Sequence, residues 1–550
     1  MTDTETLDSG TGKQKRKHTK HIIQSTMMLI VMFAISKGIS LVQTFLIARE
    51  FGIGGEWDAY VAAARIPDTI VLLMSGGALN FAFIPVLSGL LAKGDTERAW
   101  KLASHVANTI FVSALFASIL SFIFTPFIIH NVIAPAYSAE TAALSISLMR
   151  TLLIGTMVFS ISFIMTGILH SHHHFLLPAL APIINDIGIL FGVLFLVSKF
   201  GVRGMVYGSI LGAILHLLIQ IPGLLRFRAR WYMELGWNDP HLRQVIKLML
   251  PRVAGLGVSN INVIIMTNLG SRLGEGATSA IDWGWRIMQI PQTLIGTAMG
   301  IVIFPTLSAL SEVQDEQGKR TAMSGALRFI MIATIPSAIG MILIGQPLLS
   351  LLEGGAFDAS STMIVYGALR AFTLGIVVHS MMEIVARSFY ADKDTVTPLM
   401  AAIVGAVINV ILAYILTGLA TGQSDITKVW GIAAANSIGV SVEVSILIWI
   451  LRRCWRGIDE NTIAVTTLKT IAASLIMGLA VIAVEVVFSM LGLSGRVLYT
   501  VALVGVQTIV GGIVFLIATL LLGIGEVRDM LKMIFRRGQN VDLDSVEPVG

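Results

Sequence analysis

The sequence predicts an all-α polytopic membrane protein of about 14 transmembrane helices, built as two six-helix repeats plus a C-terminal helix pair. Three observations carry this. Hydrophobic residues make up 55% of the chain and charged residues 13%, with a mean hydropathy of +0.82, where a soluble domain carries about 25% charge. Apolar runs long enough to cross ~30 Å of hydrocarbon recur from end to end. The chain also repeats itself. Phe83-Ile84-Pro85-Val86-Leu87-Ser88 returns in the second half as Ile303-Phe304-Pro305-Thr306-Leu307-Ser308. At the same offset, Leu177-Pro178-Ala179-Leu180 returns as Thr397-Pro398-Leu399-Met400. Ser36 and Arg49 return as Ser259 and Arg272, and Asp58 and Pro67 as Asp282 and Pro291, at nearly that offset.

In chain order, the spans centre near Ile35, Leu72, Leu115, Phe159, Ile189 and Ile214 in the first half. In the second half they centre near Asn260, Thr293, Ala333, Val377, Asn409 and Ile438, and Met477 and Ile509 follow the repeat. The first span begins near Ile22 and holds Lys37, too long and too polar for a signal-peptide core, with no small-residue cleavage site after it. The expected divisions are a basic tail over 1–21, an N-terminal lobe over 22–233, a C-terminal lobe over 234–457, the helix pair over 458–537 and an acidic tail over 538–550. Two parallel repeats in a membrane protein are a transporter architecture, with the substrate site between the halves.

Lys and Arg in short loops set orientation. They cluster in the N-terminal tail (Lys13, Lys15, Arg16, Lys17, Lys20) and after spans two (Lys93, Arg98, Lys101), six (Arg226, Arg228, Arg230), eight (Lys319, Arg320), twelve (Arg452, Arg453, Arg456) and fourteen (Arg528, Lys532). The loops at 134–141 and 353–360 lack positive charge. Both termini are therefore expected in the cytoplasm, and the net charge of +5 needs no nucleic acid to explain it. The single Cys454 forms no internal disulfide, and zinc-ligand spacing is absent. His170 with His172-His173-His174 either binds a metal or forms a short loop at the membrane surface.

Charge inside a span is costly and faces a cavity or a partner. Lys37 lies in span one, Arg65 in span two, Arg150 in span four and Arg286 in span eight. Together they would make a cationic cavity suited to an anionic headgroup, a diphosphate above all. Arg49, Glu50 and Asp58 are read equally well as interface residues that snorkel or pair. Glu383 and Arg387, four apart on one helical face, suit an ion pair. Asp186 and Glu443 are acidic candidates for ion coupling or for structural hydrogen bonds, and His216 and His379 suit core positions. Gly76-Gly77, Gly296 and Gly300 suit either helix bending or close packing. No GxxxxGK[ST] motif and no nucleophile–base pair is found, so an enzyme is not expected and no cofactor is implied.

At several stretches the chain resembles the lipid II flippases of the MurJ/MviN family, within the multidrug/oligosaccharidyl-lipid/polysaccharide exporter superfamily. These are Ala48-Arg49-Glu50-Phe51-Gly52, Asp58-Ala59, Ala82-Phe83-Ile84-Pro85, Arg286-Ile287-Met288-Gln289-Ile290-Pro291, Phe304-Pro305-Thr306-Leu307-Ser308 and Phe389-Tyr390-Ala391-Asp392-Lys393-Asp394-Thr395-Val396-Thr397-Pro398. The resemblance implies a flippase that moves a polyprenyl-diphosphate-linked saccharide, a lipid II-like peptidoglycan precursor, across the bacterial cytoplasmic membrane by alternating access. The last helix pair would guide the lipid tail. Lys37, Arg65, Arg150 and Arg286 would bind the headgroup, and Asp58, Arg49 and Asp394 would serve gating or ion coupling. Partners would be the lipid-linked anionic saccharide, membrane lipids and cell-wall synthesis proteins.

The family's transport residues match in part. Its first-helix Ser-Arg pair is Ser36-Lys37 here, and its Arg-Asp pair is Gln43-Thr44. Its second-helix arginine falls at Val71 or Leu72, and an acidic residue nearby becomes Gly76. The glutamate after the helix-eight arginine becomes Gln289. These departures lower the positive charge of the cavity and leave another polyprenyl-linked saccharide open as cargo. The alternatives are an ion-coupled drug or metabolite antiporter of the same superfamily, and a non-transporting membrane scaffold.

Overall fold

A computed structural model describes residues 32, 35–74, 76–422, 425–490 and 497–536. The tails expected over 1–21 and 538–550, and the expected start of span one at Ile22, lie outside these residues. Among the described residues the architecture is all helix. A bilayer core offers no water to backbone N–H and C=O groups, and a helix satisfies them within itself. The first helix, α1, covers 35–51, and α2 (Gly55–Met74) and α3 (Gly76–Ala92) follow. Among the described residues, eleven helices are long and apolar enough to cross a membrane. Of these, α4 (Thr96–Ile133), α5 (Ala139–Ser171), α6 (Leu176–Phe200) and α7 (Val202–Arg226) lie in the first half. After α8 (Pro240–Ser271) come α9 (Ala277–Glu312), α10 (Glu316–Ser350), α11 (Ala359–Ala391), α12 (Val396–Leu416) and α13 (Ile426–Cys454). The last two are α14 (Glu460–Met490) and α15 (Val497–Leu521), trailed by α16 (Gly525–Arg536). Helices α1, α2 with α3, and α8 occupy the places of expected spans one, two and seven but fall outside that eleven, so the expected count of 14 is not reached on length and apolarity alone.

The repeat read from the sequence returns in three dimensions as repeated local structure. Asp95 caps the start of α4 and Asp315 the start of α10, each accepting from a backbone N–H three residues on. Ser138 and Asp358 do the same for α5 and α11. Both pairs stand at the offset that relates Pro85 to Pro305, and each cap contributes about 1 kcal/mol by satisfying an orphan donor. His173 (φ 56°) and Lys393 (φ 64°), again at that offset, both turn left-handed before the next helix.

The chain divides into two compact units, residues Met1–Ser279 with Gly355–Phe357, and Ala280–Gly354 with Asp358–Gly550. Their cores use equivalent positions. Leu87, Ile110 and Ile164 are buried in the first unit, and their repeat equivalents Leu307, Ile330 and Ile384 are buried in the second. In the second unit α14 and α15 pack on each other and on α10.

Lipid removes the hydrophobic drive between helices, so contact depends on close van der Waals fit. In the first unit α6 and α7 meet along glycines: Gly188 and Gly192 face Gly204, Gly208 and Gly212, and a Cβ on Gly192 would lie 2.7 Å from Gly208 Cα. The second unit places Gly405 of α12 against Gly439 of α13 in the same way. Gly208→Val is therefore expected to destabilise the protein by about 1–3 kcal/mol, read as a lower melting temperature in detergent. Gly89→Ala, with no atom within 4 Å of the added methyl, should leave it unchanged.

Candidate functional site

The first unit is organised around Asp58. This side chain opens α2, is fully buried, and its carboxylate accepts from Gly276 N–H at 2.7 Å, Ser279 N–H at 2.7 Å and the Ser279 hydroxyl at 2.6 Å. It thereby caps the first turn of α9 from outside that helix, where a negative charge is favoured. The exchange is mutual, because Gly55 N–H at the start of α2 donates to the Glu275 carboxylate at 3.0 Å. The Tyr137 hydroxyl donates to the Asp58 carbonyl. Arg49 lies nearby in sequence, with its guanidinium 5.3 Å from the Phe45 ring centre and its carbonyl accepting from Ala356 N–H at 2.8 Å. Gly52 adopts φ +55° against the Ala356 carbonyl, so neither the conformation nor the space admits a side chain.

Of the expected headgroup cations of this unit, Arg65 and Arg150 have a defined hydrogen-bond partner. Lys37 is exposed on α1, one residue after Ser36, whose hydroxyl donates to Asp186 of α6 at 3.4 Å. Arg65 is half-buried on α2, and its Nε donates to the Thr267 hydroxyl of α8 at 2.9 Å. Arg150 on α5 donates from Nε to the Phe122 carbonyl at 3.3 Å, with its guanidinium 4.8 Å from that ring's centre. The second unit holds Arg286, whose Nε donates to Asp282 at 2.6 Å. Here the carboxylate is 6% exposed and the guanidinium 44%, and the Trp283 ring centre lies 5.9 Å away.

All three arginines are tethered through Nε, the neck of the guanidinium fork. A tether there fixes the plane of the group, and a fixed plane is what bidentate recognition of a phosphate requires.

Asp394 is a helix cap, with Oδ1 accepting from Val396 N–H and Thr397 N–H at 3.0 Å each. Burial alone would raise its carboxyl, but the Thr397 hydroxyl and these N–H groups prevail and hold it below the usual carboxylate range. Its contribution is therefore complete above the ordinary carboxylate pKa of about 3.9 and fades as the pH falls through the folded value.

Sequence reasoning did not find the partners Thr267, Phe122 and Ser279, nor the equivalence of Arg150 with Arg370 at the repeat offset. Arg370 also sits over an aromatic ring, Tyr366, at 5.6 Å. Glu383 and Arg387 do pair, at 3.0 Å. His216 sits in a closed network in which Ser162 is 2.6 Å from Nδ1 and Gln220 Nε2 bonds Ser162 Oγ at 2.9 Å. The His379 Nε2 lies 3.1 Å from Asn436 Oδ1. Of the family positions that carry no charge here, the Thr44 hydroxyl bonds back to the Ser40 carbonyl, and the Gln289 carbonyl accepts from Thr293 Oγ1.

Asp58→Ala would leave three donors unmet. It is expected to cost about 3 kcal/mol, seen as a lower melting temperature in detergent and lower membrane yield, whereas Asp58→Asn, which keeps one acceptor oxygen, should lose less.

Comparison with known proteins agrees with this architecture. A profile of the family described as Lipid II flippase MurJ matches residues 47–503. The Lipid II flippase MurJ of Burkholderia cenocepacia is 27% identical over 413 residues, covering 74% of this chain and 80% of that protein. A solved structure described as lipid II flippase MurJ in an inward closed conformation superposes with a TM-score of 0.74 at 26% identity, covering 92% of this chain and 100% of that one. An inward-facing multidrug-resistance MATE transporter of the MOP superfamily shares the fold, with a TM-score of 0.66 at 16% identity over 78% of this chain and 99% of its own. By the match over residues 47–503, the chain belongs to the lipid II flippase MurJ family.

Proposed function

We propose that this chain is a flippase that carries a polyprenyl-diphosphate-linked saccharide of the lipid II class across the cytoplasmic membrane by alternating access. The observation that carries the reading is the set of membrane-embedded arginines tethered at Nε, taken with membership of the family. Lys37, Arg65, Arg150 and Arg286 contact the anionic headgroup. A diphosphate presents several oxygens with spread charge, and a positioned guanidinium meets two of them at once. Asp58, Arg49 and Asp394 support transport by holding the helix ends and loops around the cations, Asp58 above all. Helices α14 and α15, the last two long apolar helices of the chain, guide the polyprenyl tail. Both termini face the cytoplasm, on the side of the Lys- and Arg-rich loops. Translocation makes and breaks no covalent bond, so the residues that matter are those that bind and release.

The test is growth of cells depleted of their own lipid II flippase. The chain should restore growth. Arg286→Ala and Lys37→Ala, at equal membrane abundance, should each weaken headgroup binding by about 10–100-fold, the worth of one charge-assisted contact, and lose the rescue. Lys37→Arg should keep it. Full growth with Arg286→Ala and Lys37→Ala would overturn the headgroup assignment.

A further inference from the structure

In the second unit, helices α10, α14 and α16 and the turn after α15 border a cavity of about 370 Å³ whose lining includes Arg328, Lys469, Glu526 and Asp529. Arg328 is committed within it: Nη1 pairs with Glu526 and Nε donates to the Ser324 carbonyl at 3.3 Å. Lys469 makes no ion pair among the described residues. Among those residues Asp529 pairs with Lys532, at 4.0 Å, and both side chains are at least 66% exposed, a kind of pair that contributes little. Within the lining, the charges outside the Arg328–Glu526 pair are Lys469 on α14 and Asp529 on α16.

The cavity lies toward the N-terminal end of α14. Lys469 lies nine residues into α14, about 14 Å along its axis. The cavity wall opposite is the turn at Gly523 to Gly525 that follows the end of α15. Val465, also in the lining, is 52% exposed, so the cavity opens on the apolar exterior of α14. Beside the turn, Ile524 and Val527 are packed against Ile332, which fixes α16 to the body of the unit.

We propose that this cavity binds the headgroup of a zwitterionic aminophospholipid, its phosphate on Lys469 and its primary ammonium on Asp529. A purely anionic headgroup would gain Lys469 but meet Asp529, the carboxylate that Arg328 does not neutralise, and like charges held close repel. A headgroup with both signs meets both residual charges and leaves the Arg328–Glu526 pair intact. A primary ammonium also has three N–H donors for a carboxylate, which a trimethylammonium lacks. The site is separate from the cargo cations, and the proposal does not rest on what the protein transports.

The experiment is native mass spectrometry of the full-length protein equilibrated with equal amounts of phosphatidylethanolamine, phosphatidylglycerol and phosphatidylcholine. Phosphatidylethanolamine should be retained about tenfold over the other two, a difference of about 1.4 kcal/mol. Lys469→Gln should abolish that preference, and Asp529→Asn should shift retention toward phosphatidylglycerol, with unchanged melting temperatures showing that both variants fold. Equal retention of the three lipids, a native preference for phosphatidylglycerol, or a preference untouched by either substitution would overturn the proposal. Displacement of the retained lipid by soluble phosphoethanolamine would assign the site to a free zwitterion instead.

Discussion

A charged side chain at the centre of a membrane helix costs about 2.5–3.5 kcal/mol on insertion scales, and that cost shapes this protein more than any other single term. The arginines described above are each met by a named neighbour. Arg65 has a threonine hydroxyl on another helix, Arg150 a backbone carbonyl and an aromatic face, and Arg286 a buried aspartate one turn away. Arg328 and Arg387 have glutamates. On the proposed reading, charges kept at this cost and then oriented meet charge on the cargo. The flippase reading follows from that constraint as much as from family membership.

The same economy governs the helix ends. Asp58 and Glu275 cap each other's helices from opposite ends of the first unit's sequence, placing a carboxylate where the first N–H groups of a helix lack an intrahelical partner. The caps that recur at the repeat offset, Asp95 with Asp315 and Ser138 with Asp358, show that both units solve the problem alike. The two halves share these cap positions while their interior polar groups differ. Where the first unit has the Ser162–His216–Gln220 network, the second has His379 with Asn436, and Asn436 is the repeat equivalent of His216.

Much of this was legible in the sequence. The helical membrane character and the repeat followed from hydropathy and offset, and family membership followed from the Arg49, Arg286 and Asp394 stretches. The glycine contacts of α6 and α7 were written at i, i+4 spacing in Gly188, Gly192, Gly204, Gly208 and Gly212, a pattern that marks close helix approach, but it was not read. Arg370 could have been paired with Arg150 by the same offset. The partners of the cations were not legible. Thr267 is remote in sequence from Arg65, and Ser279 from Asp58, and nothing local to either residue encodes the other. The sequence presented Asp58 and Asp394 as candidates for gating or ion coupling. The structure shows what such residues do locally, which is to cap helices, because cap geometry depends on where the capped helix begins. Lys469 and Asp529, on helices separated by the whole of α15, carried no sequence signal of shared place.

The most direct test of the central account is transbilayer movement of lipid II in vesicles reconstituted with the purified chain, followed as accessibility to a membrane-impermeant reagent. The account predicts that lipid II reaches the opposite leaflet at a rate that rises with protein content, while a phosphatidylglycerol carrying a single phosphate and no saccharide stays where it was placed. Lipid II that moves no faster than in protein-free vesicles, or movement of both lipids alike, would contradict it.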